Sequence, residues 1–375
     1  MVSVLVSGAS VAGVTAAYWL AHQGYSVTVV ERFAGLRPGG QAIDVRGPAL
    51  TVLERMSLRA AADHLRTRIR GSSVVDRDGN EMSHDTEAPP AGPTVGPIAG
   101  PEIELLRDDL VELLYESTKL NAEFVFGDSI AALDDDGTGV RVTFERADPR
   151  TFDLVVGADG LHSTVRRLVF GPEEQFIERL GTFAAIFTVP NFLNLDYWQT
   201  WNYGESSMAG VYSARDNTEA RAMLGFMDAE LRIDYRDTEA QFAELERRMA
   251  GDGWVRPQLL EYMRSAPDFY FDEMSQIKMD HWAKGRVVLV GDAGYCCSPL
   301  SGQGTSVALL GAYILAGELA ACGDDYEKGF ANYQKEFADY VKRNQWLVVD
   351  NIPGGAPIPQ EVFERIVNSI ELKTY

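Results

Sequence analysis

The sequence predicts an α/β fold in which a parallel, helix-covered sheet is interrupted by a mostly antiparallel one and closed by C-terminal helices. Three observations predict it. The chain opens on a strand–helix–strand pattern, "VLVSGASVAGVTAAYWLAHQGYSVTVVER". Two later segments, "FDLVVGADG" and "RVVLVGDAG", each end a buried apolar strand on glycine and aspartate. Between them lie aromatic-rich runs with the make-up of antiparallel strands.

Residues 2–7 read as a buried strand, 11–23 as a helix and 25–30 as a second strand, the length of a βαβ unit. "LRPGGQAIDVRG" is a glycine-rich loop, followed by a helical stretch from Pro48 to about Leu65. Residues 72–84 suit a hairpin around Asp78-Gly79, a pair favoured in a tight I′ turn. "EAPPAGPTVGPIAGP" is too rich in proline and glycine for regular structure and reads as a loop or domain crossing. A helix is expected over 107–119, then short strands leading to "FDLVVGADG". Within 181–227 the runs "FAAIFTV", "YWQTWNY" and "MAGVYSA" suggest a second sheet. A parallel-type strand returns at 286–294, and a long helix starts near Thr305. Tyr326, Phe330, Tyr333, Phe337 and Val341 recur every three or four residues, a core face expected to fasten the two domains. "NIPGGAPIP" breaks that helix, and a short amphipathic one follows from Gln360. There are no internal repeats. The implied division is 1–72, 98–180 and 270–322 for one domain, 73–97 and 181–269 for the inserted one, and 323–375 for bridging helices.

At 375 residues, 46% hydrophobic and 24% charged, the chain has the composition of a soluble globular protein. A net charge of -21 argues against nucleic acid and against anionic membranes. Three cysteines, two of them adjacent (Cys296 and Cys297), make no disulfide framework and suit a reducing, cytoplasmic setting. The N-terminus lacks the basic start of a signal peptide, and no uninterrupted apolar run reaches about 18 residues. Five histidines without metal-ligand spacing predict no metal site. A monomer or weak homodimer is expected. "GASVA" fails G-x-S-x-G at Ala12, which counts against a hydrolase.

In "GASVAG", Gly8 permits a tight strand-to-helix turn, and Gly13 lets the helix approach the strand. Ser10 stands where the backbone must come close to a pyrophosphate, with Val11 and Ala12 opening the helix whose N–H groups face the anion. Glu31, beside Arg32 at the end of the second strand, is placed to accept hydrogen bonds from a ribose diol. An acid there disfavours a 2′-phosphate, so the site suits FAD or NAD. An aspartate ending a strand is by itself more often a turn residue or helix cap. Two of them beside a dinucleotide fingerprint favour a ligand crevice. The helix from Thr305 aims its N-terminus over Gly302 and Gly304, where it would stabilise negative charge. Cys296-Cys297 reads as a small apolar pair, and His162 and His281 as solvated or capping. For Trp198, Trp201 and Tyr203, sheet packing outweighs stacking on a substrate.

Taken together and in order, "GASVAG", "VVGADGLHSTVR" and "VVLVGDAGYCCSPLSGQG" resemble the FAD-dependent aromatic hydroxylases of the p-hydroxybenzoate hydroxylase type. Within these the chain is most similar to the tetracycline-inactivating and related bacterial monooxygenases. The likeness is strong over 1–72, 98–180 and 270–322 and only architectural over the inserted sheet. It implies a Rossmann-like FAD-binding domain with an inserted, mostly antiparallel substrate-binding sheet and a C-terminal helix. Gly8, Ser10, Val11, Ala12 and Gly13 would face the FAD pyrophosphate, and Glu31 with Arg32 the adenosine ribose. Arg46 in "DVRG" would lie near the flavin, and Arg107 would reach its phosphate and ribityl region. Asp159 and Gly160 belong to a motif linked to both FAD and nicotinamide. Gly291 and Asp292 would meet the ribityl chain, and Pro299, Gly302, Gln303, Gly304 and Thr305 the isoalloxazine edge. Arg46, Pro299 and Gly302 would form the environment of the reacting edge, with no catalytic base assigned. Cys297 stands where the family usually has proline.

The activity so implied is an FAD-dependent monooxygenase consuming NADPH or NADH as a transient co-substrate. It would hydroxylate an aromatic or enolic substrate, polycyclic, polyketide or tetracycline-like, with O₂ through a flavin C4a-hydroperoxide. No second dinucleotide fingerprint exists for the nicotinamide, so the hydride donor would bind transiently across a surface groove; the resemblance implies that the flavin swings out to meet it, with the glycine-rich loops 37–41 and 301–304 around the ring. The alternatives are a non-oxygenating flavin oxidoreductase and a non-catalytic flavin- or ligand-binding protein.

Overall fold

The computed structural model describes residues 1–86, 102–251, 253–348 and 358–375. Its first sheet has six strands in the order Ala283–Lys284, Val287–Leu289, Leu154–Gly157, Ser3–Ser7, Ser26–Glu31 and Glu123–Phe126. All neighbours are parallel except the first pair. Its central strands are apolar throughout because both faces are covered. Val4 and Val6 turn to the helices Val11–His22 and Gly304–Cys322. Leu5 turns the other way, onto the antiparallel strands Ile130–Asp135, Val140–Phe144 and Arg150–Phe152.

The second sheet has seven strands, ordered Tyr270–Ile277, Ile177–Val189, Glu219–Met227, Ser207–Ala214, Trp198–Tyr203, Gly71–Val75 and Glu81–Asp85. It is antiparallel except where Trp198–Tyr203 runs alongside Gly71–Val75. Tyr270–Ile277, assigned by the sequence division to the first domain, pairs here instead with Ile177–Val189. Helices Thr238–Met249 and Arg256–Ser265 cover the outer face through Phe183, Phe187, Leu224 and Phe226. A two-stranded ribbon, Ala42–Arg46 with Glu102–Leu106, lies between the halves.

Three local expectations change. The helix from Pro48 splits into Pro48–Arg55 and Arg59–His64, broken at Ser57, whose φ is +60°. The hairpin exists, but its turn is not I′: only Gly79 is left-handed there (φ +84°), and the Asp76 carbonyl accepts its N–H at 3.1 Å. The Asp76 carboxylate also takes the N–H groups of Asp78 and Asn80, fixing a wider loop. His162 is neither solvated nor a cap; two carboxylates hold it. The proline-glycine run at 87–101 and most of "NIPGGAPIP" lie outside the described residues.

Gly304–Cys322 is the one described helix long and apolar enough to cross a membrane, but 78% of that stretch is buried in this fold. Its single acid, Glu318, is held by Lys373 at 2.7 Å and the Tyr375 hydroxyl at 2.8 Å. Phe330, Tyr333, Phe337 and Val341 of helix Tyr326–Trp346 pack into the same core. Gln345, near that helix's end, donates to the Ile277 carbonyl of the second sheet.

Candidate active site

The motif residues converge because parallel strands end together. Ser7, Gly157 and Leu289 are register partners, so the turns after them share one edge. Gly8 (φ +103°) donates its N–H to Val30 and passes so close to Ala158 that a Cβ would sit 2.6 Å from its carbonyl oxygen. A Cβ on Gly13 would sit 1.9 Å from the Gly8 oxygen, so the turn and its helix tolerate no side chain there. At Gly291 (φ +66°) a Cβ would sit 2.7 Å from the Ala12 methyl. Glu31 closes the turn, accepting the Ala9 N–H at 2.8 Å and the Phe33 N–H at 3.0 Å. Ser10 caps the helix backbone without a side-chain bond; Val11 and Ala12 are buried, and Arg32 lies over the Phe33 ring at the rim.

Asp159 accepts from the Ser163 hydroxyl at 2.5 Å and the Val165 N–H at 3.1 Å, the capping role its strand-end position allows. Burial pushes its carboxyl above the ordinary range. Gly160 (φ +82°) and Gly304 have open space where a side chain would be. Asp292 has exposed surface, yet surrounding protein pushes its carboxyl up, and the Cys296 thiol partly offsets this. Gly302 is left-handed (φ 63°, ψ 12°), Pro299 is exposed, and Gly304 and Thr305 begin the long helix.

Arg107 reaches back under the glycine loop, donating to the Arg37 carbonyl at 3.0 Å and the Gly39 carbonyl at 2.5 Å. Burial first, and then neighbouring Arg37, push its guanidinium down to about 9, against the pull of Asp108 and Glu31. Arg46 is spent differently from expectation. Its guanidinium pairs with Asp44 at 3.0 Å and Glu102 at 2.7 Å, beneath the Phe363 ring. Burial lifts Glu102 to about 7 despite Arg46. Only the Arg46 backbone N–H faces the long helix, donating to Ser306 at 3.0 Å.

Two groups around this edge are buried and unpartnered among the described residues: both side-chain polar atoms of Gln303 and Nε of Arg107. Unmatched N–H donors beside a glycine-lined turn and a helix N-terminus suit an anionic, carbonyl-rich molecule. FAD, with its pyrophosphate and dione ring, fits that donor set.

Beyond Trp201, which the sequence reading weighed for stacking on a substrate, the residues on the inner face of the second sheet escaped it. On the face of the second sheet turned to the first, Ala184, Ile186, Trp201, Met223 and Met274 cluster, with Leu300 of the "PLSGQG" loop packed against them. Trp201 lies flat over Gly210, where a Cβ would sit 2.1 Å from its ring. On the same face, Gln199, Tyr212 and Arg221 are direct partners on adjacent strands. Arg221 is 1% exposed, bonding Glu219 at 2.8 Å and the Gly40 carbonyl at 3.2 Å. The Tyr212 hydroxyl accepts the Ala42 N–H at 2.9 Å, and Gln199 Oε1 is buried without a partner. Trp198 points to the opposite face and stacks on His84, while Tyr203 is 60% exposed. The signal available in sequence was phase: Gln199 and Arg221 are polar residues inside apolar strands.

Residues 1–345 match the family described as FAD binding domain. An uncharacterised protein of Mycobacterium tuberculosis is 76% identical over 375 residues, spanning 100% of both chains. A flavin-dependent monooxygenase from an unknown prokaryotic organism is 39% identical over 342 residues, 91% of this chain and 87% of its own. The crystal structure of tetracycline destructase Tet(51) superposes with a TM-score of 0.90 at 33% identity, covering 100% of both chains.

Proposed function

The chain belongs to the FAD-binding family of flavin-dependent monooxygenases, and from that premise we propose that it adds one oxygen atom of O₂ to a polycyclic aromatic or enolic substrate at the expense of NADPH or NADH. Bound FAD supplies the hydride acceptor and the site of O₂ activation; the protein binds, orients and excludes water.

The cradle Gly8–Gly13 and the N-terminus of its helix would hold the pyrophosphate, and Glu31 the ribose. Arg107 would gain the phosphate as its anion. Asp292 and Gln303 would meet the ribityl and ring polar atoms. The N-terminal turn of Gly304–Cys322 would stabilise negative charge on the reduced ring. No residue here is assigned as a proton-transfer base; the substrate's own phenol or enol makes the carbon nucleophilic.

The observation that carries the substrate reading is the pairing of an apolar platform with a polar row. Trp201, flattened on Gly210, and the methionines beside it suit a planar fused-ring body. Gln199 Oε1, an acceptor without a partner among the described residues, suits a substrate hydroxyl, and the buried Arg221 cation in the same row suits a neighbouring oxygen substituent. A tetracycline-like or polyketide phenol has both. The likeness over the whole chain to a protein named tetracycline destructase supports this choice. The test is to incubate the purified yellow protein with NADPH, air and a panel of tetracyclines and polycyclic phenols, reading product mass. A gain of one oxygen atom is expected. FAD binding with no oxygenated product from any member would overturn the substrate reading.

A further inference from the structure

His162 sits two residues beyond Gly160, in the segment that walls the cofactor crevice, and both of its ring nitrogens face carboxylates. Nδ1 is 3.0 Å from Glu173 Oε1, and Nε2 is 3.1 Å from Asp272 Oδ2. The ring is 15% exposed and stacks on Tyr235 with centroids 3.8 Å apart and planes 1° from parallel. A neutral imidazole has one N–H; its other nitrogen would then aim a lone pair at a carboxylate. Only the imidazolium satisfies both sides. Glu173 is also bonded by Arg166 at 2.9 Å, and Arg166 is anchored to the Ala293 carbonyl of "GDAG" at 2.9 Å. Asp272 receives the Tyr270 hydroxyl at 3.0 Å, and Arg37 of the glycine loop lies over the Tyr270 ring. One connected network thus ties two cofactor motifs and the glycine loop to an edge strand of the substrate sheet.

We propose that His162 is a positioning residue, a protonated crossbrace that fixes the Gly157–Arg166 cofactor segment to the substrate strand Tyr270–Ile277 and thereby sets how tightly the cofactor is held. This rests on the FAD reading above for its consequence, not for the brace itself. The groups facing the ring are Glu173 from its short turn, Asp272 and Tyr270 from the strand, Arg166 from the following helix, and Tyr235, whose far side carries Arg236. Burial alone would push the imidazole down; hydrogen bonds donated to Asp272 and Glu173 override it and lift the group to about 9. A raised histidine contributes stability that is full below its unfolded value near 6.5 and is lost as pH rises through about 9.

The test compares His162→Gln with wild type. Melting temperatures of apoprotein and holoprotein are followed from about pH 6 to 10, and FAD dissociation is followed by fluorescence near pH 7. The variant should melt lower near pH 6.5, with the gap closing towards pH 10, and should bind FAD at least about tenfold more weakly, the equivalent of losing one charged hydrogen bond. A gap constant across pH, or unchanged FAD affinity, overturns the proposal. Should the variant not fold, nitrogen-15 NMR of the wild-type ring decides: two N–H groups at pH 8 support the brace, and a neutral ring refutes it. If wild type binds no FAD, the functional reading fails, and the apoprotein melts alone decide the brace.

Discussion

On the function proposed, the two sheets would position ligands by opposite means. In the parallel sheet the binding turns are local: Gly8 to Gly13 form a cradle within six consecutive residues, and Glu31 reaches it across one βαβ unit. In the antiparallel sheet the polar row draws on strands at 198–203, 207–214 and 219–227, and the platform needs Ala184 and Met274 as well. A dinucleotide has a fixed shape, so its turn is a sequence pattern. A substrate surface is set by strand register, and a one-residue slip would send Gln199, Tyr212 and Arg221 to the helix-covered face. Local chemistry is therefore where sequence speaks and register where it falls silent.

Gly13→Val breaks the local side hardest. Its Cβ would lie 1.9 Å from the Gly8 oxygen, which is backbone and cannot step aside. The expected outcome is a protein without bound FAD, or no soluble protein at all, read by the flavin absorbance of the purified material. Normal yellow protein would show that the turn is not the cradle. Arg107→Ala comes next. Charge-assisted hydrogen bonds are worth roughly 1.5–3 kcal/mol each, so FAD should dissociate at least ~10-fold more readily, measured by dialysis and by acid release of what remains. Full retention would reassign Arg107 to bracing the Arg37–Gly39 loop alone.

Arg221→Met tests the register side. It strips the buried donor from the polar row while keeping a flexible apolar chain of similar reach. The KM for whichever substrate gains oxygen should rise roughly 10-fold, as for loss of a charged hydrogen bond. FAD retention should fall less than in Arg107→Ala, since Arg221 touches the cofactor loop only at the Gly40 carbonyl. An unchanged KM with lost FAD would place Arg221 with the cofactor half, and the contrast between the sheets would fail at that point.

Legibility divides along the same line. The strand–turn–helix units, the long helix near Thr305 and the aromatic face from Phe330 to Val341 follow from period and glycine placement. Arg46 was expected near the flavin, and nothing in "DVRG" announces that Asp44 and a glutamate 56 positions away occupy its guanidinium. His162 was underrated for the same reason: its carboxylates come from a turn at 173 and a strand at 272. Tyr270–Ile277 read as part of the cofactor stretch because it precedes "RVVLVGDAG", although its partner strand lies in the other sheet. Long-range pairing carries each of these, and periodicity has no access to it.

The smallest effect is expected where this chain departs from the resemblance, at Cys297. Its thiol is 1% exposed, 3.6 Å from the Tyr295 carbonyl, and burial pushes it far above the ordinary range, as it does Cys296. A thiol held protonated is a poor nucleophile and a poor redox partner, so its role is volume. Cys297→Ala should therefore cost only ~1 kcal/mol, the price of a small cavity, and leave FAD content and turnover within twofold of wild type. A thiol reagent applied to the native protein should label Cys322, which is partly exposed, and reach Cys296 and Cys297 only after unfolding. Rapid native labelling at either, or loss of flavin reduction in the alanine variant, would place chemistry in the loop after Asp292. The comparison would then need a third region, one whose local sequence resembles the cofactor grammar but whose function does not.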